Sequence, residues 1–130
     1  MRVMALDYGA ARTGVAVSDA TGTLARPLTV VERAGTEAGF RQLVALIEAE
    51  QPARIVVGLP LTLRGERGSQ AEETDRFVDA LRSATSVPVD SFDERFTTTL
   101  ASRDPASKTP EDARAAAHLL GAYLASTAAR

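Results

Sequence analysis

Two short apolar runs, Val3 to Leu6 and Val15 to Val17, flank a turn bounded by Gly9 and Gly14, and the first run stops on a carboxylate, Asp7. Short apolar runs around a glycine-bearing turn are the pattern of two strands joined as a hairpin with a long loop. A hairpin with apolar faces has to be covered, so the rest of the chain must supply further strands and helices. It does so in alternation. Pro27 to Val31 reads as a third strand. From Thr36, a candidate N-cap, the residues Phe40, Leu43, Val44 and Ile47 fall at i, i+3, i+4 and i+7, which is one face of an amphipathic helix. Pro52 lies just beyond it. Ile55 to Val57 is a run without polar residues, as expected of a strand covered on both faces, and Gly58-Leu59-Pro60 ends it. After a loop rich in Gly and Arg (Leu61 to Gly68), Ser69 is placed as the cap of a second helix carrying Phe77, Val78 and Leu81 on one face. Val87 to Val89 reads as a short final strand, and a last helix is expected from Pro110, an apt first helical residue, to about Ala125. A hairpin followed by alternating helices and strands predicts an α/β fold with a mixed sheet and helices on both faces, in one domain over 1–130.

Composition narrows the chemistry. The 130 residues include no cysteine, which excludes disulfides, thiolate metal sites and redox motifs. No apolar stretch has the length of a membrane span or of a signal-peptide core, so a cytoplasmic protein without a membrane partner is expected. The net charge of −2 argues against a broadly basic surface of the kind that meets nucleic acid. Yet Arg12, Arg64, Arg67 and Arg95 lie in or beside the turns described above, where a local cationic patch can coexist with acidic helices.

The carboxylates carry the functional reading. An unpaired charge at the end of a buried strand is costly and usually pairs or holds a metal, which makes Asp7 hard to explain as packing. Glu94 follows the last expected strand. In open α/β sheets ligands bind beyond the carboxyl ends of the strands, where two such acids meet. Asp112, Ala116, Leu119, Leu120 and Tyr123 share one stripe of the last helix, which adds a third acid at the start of its inward face. Hard oxygen ligands without His or Cys favour Mg²⁺ or Mn²⁺. Two such ions, about 3.5 to 4 Å apart, assist in-line displacement at phosphorus without a side-chain nucleophile. The single histidine, His118, lies among alanines and leucines and reads as packing.

Four blocks in order, ALDYGAARTGVAVSD, IVVGLPLTLRGERGSQAEETDRFVDAL, FDERFTT and DARAAAHLLGAYL, resemble the YqgF/RuvX family, described as pre-16S rRNA nucleases and as Holliday-junction-resolvase-like proteins of the RNase H-like superfamily. The resemblance implies a five-stranded sheet with the first three strands antiparallel, helices on both sides and an acidic two-metal site. It carries the catalytic and metal-binding roles onto Asp7, Glu94 and Asp112. It also implies that Arg12, the Gly58-Leu59-Pro60 corner, Arg95, Thr97 and Thr98 lie around the site and face a phosphodiester backbone. The expected partners are precursor rRNA, free or within a ribosomal particle, and branched DNA. Cutting a junction would require a homodimer, whereas rRNA processing is open to a monomer. Three departures stand out: Ala11 replaces a basic or polar residue of the first turn, the segment between Glu94 and Asp112 is short and carries, beyond Arg95, only Arg103 and Lys108 as cations, and Ala115 stands where related resolvases have a further acid. Asp19 or Asp93 is a candidate to assist the three acids. Two other readings share the opening block: the first phosphate loop of an actin-like ATPase, for which one lobe is too little, and a non-catalytic nucleic-acid-binding assembly factor.

Overall fold

The computed structural model describes residues 1–60, 68–93 and 111–128. The elements are β1 (Val3–Asp7), β2 (Arg12–Ser18), β3 (Ala25–Glu32), α1 (Glu37–Glu50), β4 (Arg54–Leu59), α2 (Ser69–Ala84), β5 (Val89–Asp93) and α3 (Glu111–Ala128). The five strands form one sheet in the order β3-β2-β1-β4-β5. β1 to β3 pair antiparallel, while β1 pairs with β4, and β4 with β5, in parallel. The expected mixed sheet, with its first three strands antiparallel, is therefore present. The carboxyl ends of all three parallel strands come out on one edge, at Asp7, Leu59 and Asp93, and the antiparallel register brings Arg12 to that same edge.

Strand alternation divides the core in two. Met4, Leu6, Val15, Val17, Ile55 and Val57 point to one face and pack with Leu43 and Ile47 of α1 and Phe77, Val78 and Leu81 of α2. Val3, Ala5, Ala16 and Val56 point to the other face and pack with Ala116, Leu119 and Leu120 of α3. The small side chains Ala5 and Ala16 let α3 lie close to the sheet. Phe92 and Tyr123 meet edge to face at 5.6 Å beside this second layer.

Local chemistry sets most boundaries. Thr36 caps α1, its side chain accepting from the Gly39 amide at 3.2 Å. The helix ends where Gln51 turns into the left-handed region (φ 49°), donating its N–H to the Ile47 carbonyl before Pro52 prevents continuation. Two expectations shift. Ser69 is the first helical residue of α2 rather than its cap; the extended Gly68 holds the cap position without a side-chain bond, and its carbonyl accepts from the Glu72 amide at 3.2 Å. The last strand runs over Val89–Asp93, not 87–89, because Pro88 has no N–H to give a ladder and contributes only its carbonyl, which accepts from Ile55 N. Arg82 fixes the start of β5, donating from Nε and Nη2 to the Val89 carbonyl at 3.0 and 2.8 Å. α3 extends past Ala125 to Ala128, and Pro110 lies outside the described residues.

Candidate active site

The site is built where β1 ends, β2 begins and α3 starts. Val3 and Ala5 face α3, so alternation turns the half-buried Asp7 to the same side. Its partner across the ladder is Gly14. A Cβ on Gly14 would lie 1.8 Å from the Asp112 carbonyl oxygen and 2.4 Å from its carbon. The first turn of α3 thus rests directly on the β2 backbone beside Asp7, a seat available only to glycine. This contact brings Asp112 to the end of the sheet where Asp7 stands.

Arg12 completes the described group. Gly9 lets the β1–β2 turn close tightly, since a Cβ there would lie 2.5 Å from the Arg12 carbonyl oxygen. The Arg12 guanidinium lies 3.9 Å from an Asp112 carboxylate oxygen, with both side chains substantially exposed (64% and 42%). A pair of this kind contributes about 0 to 1 kcal/mol and exchanges readily for another partner. Ala113, Ala116, Leu119 and Leu120 form the buried stripe of α3, and Asp112 sits at its rim, half-buried.

Glu94, Arg64, Arg67, Arg95, Thr97 and Thr98 lie outside the described residues. Among the described residues no three Asp, Glu or His side chains converge, and Asp7 and Asp112 are the two site acids among them. The two assisting acids considered from sequence stand elsewhere. Asp19 is at the opposite end of β2, where its carboxylate organises the β2–β3 turn: Oδ1 accepts from the Thr23 and Leu24 amides at 2.8 and 3.2 Å, and Oδ2 accepts from Thr21 Oγ1 at 2.7 Å. The hydroxyl of Thr21, followed by these amides, lowers its pKa from 3.8 to about 2. Asp93 follows Phe92, which packs on the α3 side, so alternation turns Asp93 to the face opposite Asp7. His118 is half-buried within α3, as expected of a packing residue.

Three features escaped the sequence reading. Gly14 was legible as a turn boundary, although a glycine inside an apolar run is also the signal for close backbone approach. Arg33 adopts a left-handed conformation (φ 49°), with its N–H donated to the Ala11 carbonyl at 2.9 Å and its carbonyl accepting from Thr36 N and Thr36 Oγ1. An exposed arginine thereby stands beside Ala11 of the first turn. Tyr8 stacks on Phe77 at 4.2 Å, and Phe40 meets Phe77 edge to face at 6.3 Å, on the side of the sheet away from α3. Nothing in the spacing of these aromatics marks them as a group.

A mixed five-stranded sheet in this order, with acids at the carboxyl ends of its parallel strands, defines an RNase H-like fold. The fold matches Thermus thermophilus RuvC in complex with a Holliday junction substrate (TM-score 0.61, 18% identity, 99% of this chain and 96% of that one). It also matches a Fowlpox virus resolvase determined with Holliday junction DNA (TM-score 0.58, 14% identity, 98% and 99%). The sequence profile of the family described as "RuvX: Holliday junction resolvase" matches residues 1–126, and the chain belongs to that family, also called YqgF. Among its relatives, a Syntrophomonas wolfei protein named "Putative pre-16S rRNA nuclease" shares 39% identity over 95% of this chain and 94% of its own length. A Chloroflexus aurantiacus protein of the same name is 50% identical over 99 residues, which are 76% of this chain but only 65% of that protein. The chain thus spans less than two thirds of the length of the Chloroflexus relative it matches.

Proposed function

We propose that the chain is a divalent-metal-dependent nuclease, a hydrolase of phosphodiester bonds, whose substrate is the 5′ end of precursor 16S rRNA in the cytoplasm. The observation that carries this reading is the seating of Asp112 on Gly14, on the same face and at the same sheet end as Asp7. The reading takes residues 1–130 as one nuclease domain. The donors fit Mg²⁺ or Mn²⁺: two carboxylates on one rim, neither of them closely ion-paired among the described residues, with Glu94 as the third ligand. When bound, two such ions would supply charge neutralisation at the phosphoryl oxygens and orientation of the attacking water. Asp7 and Asp112 would hold them. Arg12 leaves its weak contact with Asp112 and neutralises a neighbouring phosphate, and Arg64, Arg67, Arg95, Thr97 and Thr98 extend that grip. Such contacts position the strand without reading bases.

The family's description favours a second substrate, the four-way DNA junction. Two cuts in such a junction need two active sites and so a symmetric dimer. Cleavage assays with precursor rRNA leader, single-stranded RNA, duplex DNA and a four-way junction, each in Mg²⁺, Mn²⁺ and EDTA, separate the readings. The expected result is metal-dependent cutting of the rRNA leader that falls by about 10³-fold or more in Asp7→Asn, as removal of several kcal/mol of transition-state charge stabilisation requires. Cutting confined to the junction assigns the second substrate. If wild type cuts nothing while wild type and Asp7→Asn bind RNA equally, the protein is a binding factor and the nuclease reading is wrong.

A further inference from the structure

The aromatic group on the far side of β1 borders an open groove of about 320 Å³, lined by Tyr8, Gly35, Phe40, Glu73, Arg76 and Phe77 with Ala80 at its edge. We propose that this groove takes one unpaired nucleobase of the strand whose phosphate lies at Asp7, so that the site selects single-stranded over duplex nucleic acid. The proposal rests on the nuclease reading and names its substrate class.

Position is the first argument. Asp7 ends β1 facing the acidic site, and Tyr8, the residue directly after the strand, packs on the other face beside the groove. The 33–36 turn links the two sides. Its Arg33 amide is bonded to Ala11 in the turn that carries Arg12, and a Cβ on its Gly35 would lie 2.8 Å from the Tyr8 hydroxyl oxygen. The groove therefore lies at the same end of the sheet as Asp7, on the opposite face, with the 33–36 turn between the two.

Chemistry is the second. Phe77 is nearly fully buried under Tyr8, whereas Tyr8 and Phe40 are only half-buried and leave aromatic surface at the groove. Bases stack on such surfaces whatever their identity. Arg76 and Glu73 are exposed on the α2 rim. The guanidinium suits the phosphate next to the stacked base, and the carboxylate suits an exocyclic amine on the base edge. A purely apolar ligand would leave both charges unused. The volume is at the lower end of small-ligand clefts, enough for a base and its sugar. A base inside a duplex hides both faces against its neighbours and cannot enter.

The test is equilibrium binding in EDTA, without cleavage, of a short single-stranded RNA bearing one 2-aminopurine and of the same RNA annealed to its complement. Wild type, Phe40→Leu and Arg76→Gln are compared, with a thermal melt for each variant. Quenching of 2-aminopurine is expected with wild type. Single-strand affinity should fall about tenfold in Phe40→Leu, as loss of one stacking contact implies. In Arg76→Gln it should fall less, with a salt slope lower by about 0.7, the value for one phosphate contact on a single strand. Duplex binding should be unchanged in both. Arg76 is exposed, so its variant keeps the test decisive if Phe40→Leu loses the fold. Variants that bind the single strand as wild type does, or that lose single-strand and duplex affinity alike, overturn the proposal while leaving the nuclease reading intact. Wild type that binds neither the single strand nor the annealed RNA overturns both.

Discussion

Asp7 and Asp19 end the first two apolar runs in the same way, and their surroundings separate them. Asp19 is answered locally: two amides and a hydroxyl within five residues satisfy its oxygens, and the turn they form lets Gly22 take a positive φ of 72°. Its pKa, lowered from 3.8 to about 2 by these bonds, means that the folded state binds this proton less readily than the unfolded chain. The stabilisation is then complete above about pH 4 and is lost as pH falls toward 2. Asp19→Ala should melt a few degrees below wild type at pH 7, and the gap should close as the pH drops through that window. Thermal melts of both proteins at pH 7, 5, 3 and 2 check it, and a gap that persists at pH 2 would mean the turn depends on something other than the carboxylate. No comparable set of amides surrounds Asp7 among the described bonds, which is why a cation is the partner proposed for it.

Between elements, the decisive contact is β2 against α3. Gly14→Ala would put a methyl group into the Asp112 carbonyl, a clash with backbone that no side-chain rotation relieves. Overpacking of this kind costs about 1 to 3 kcal/mol, and relief by lifting the first turn of α3 would carry Asp112 away from Asp7. The expected outcome is a lower unfolding free energy in urea together with a Mg²⁺ titration shifted to weaker binding. A loss of stability with unaltered Mg²⁺ binding would show that α3 tilts as a body and keeps the acids in register. Element types were readable because each has its own period: the i, i+3, i+4, i+7 spacing of Phe40, Leu43, Val44 and Ile47 cannot be a strand, and the uninterrupted Ile55 to Val57 suits a strand covered on both faces. Boundaries were less legible where the backbone decides. The cap of α2 fell to Gly68 through its extended conformation, and β5 began at Val89 because Pro88 has nothing to donate. Asp7, Arg12 and Asp112 could be named from position and motif, but the Gly14 seat, the left-handed Arg33 and the Tyr8, Phe40 and Phe77 group arise only when residues distant in sequence are brought together.

Over the whole molecule, a net charge of −2 has to be reconciled with the polyanionic substrate proposed above. Screening resolves it: at physiological salt the Debye length is about 8 Å, so charges on the far helices hardly reach the site edge. Affinity should then depend on the cations at that edge and not on the total. Arg12 stands there, while Arg26, exposed on β3, pairs with Val17 toward the opposite end of the sheet. Replacing either by alanine makes the same change in net charge. In binding isotherms on single-stranded RNA from low to physiological salt, Arg12→Ala should lower the slope of log K against log salt by about 0.7, the contribution of one phosphate contact. Arg26→Ala should leave the slope where it was. Equal effects from the two would mean that the protein meets nucleic acid through its overall field, and the edge defined by Asp7, Arg12 and Asp112 would lose its claim to be the binding surface.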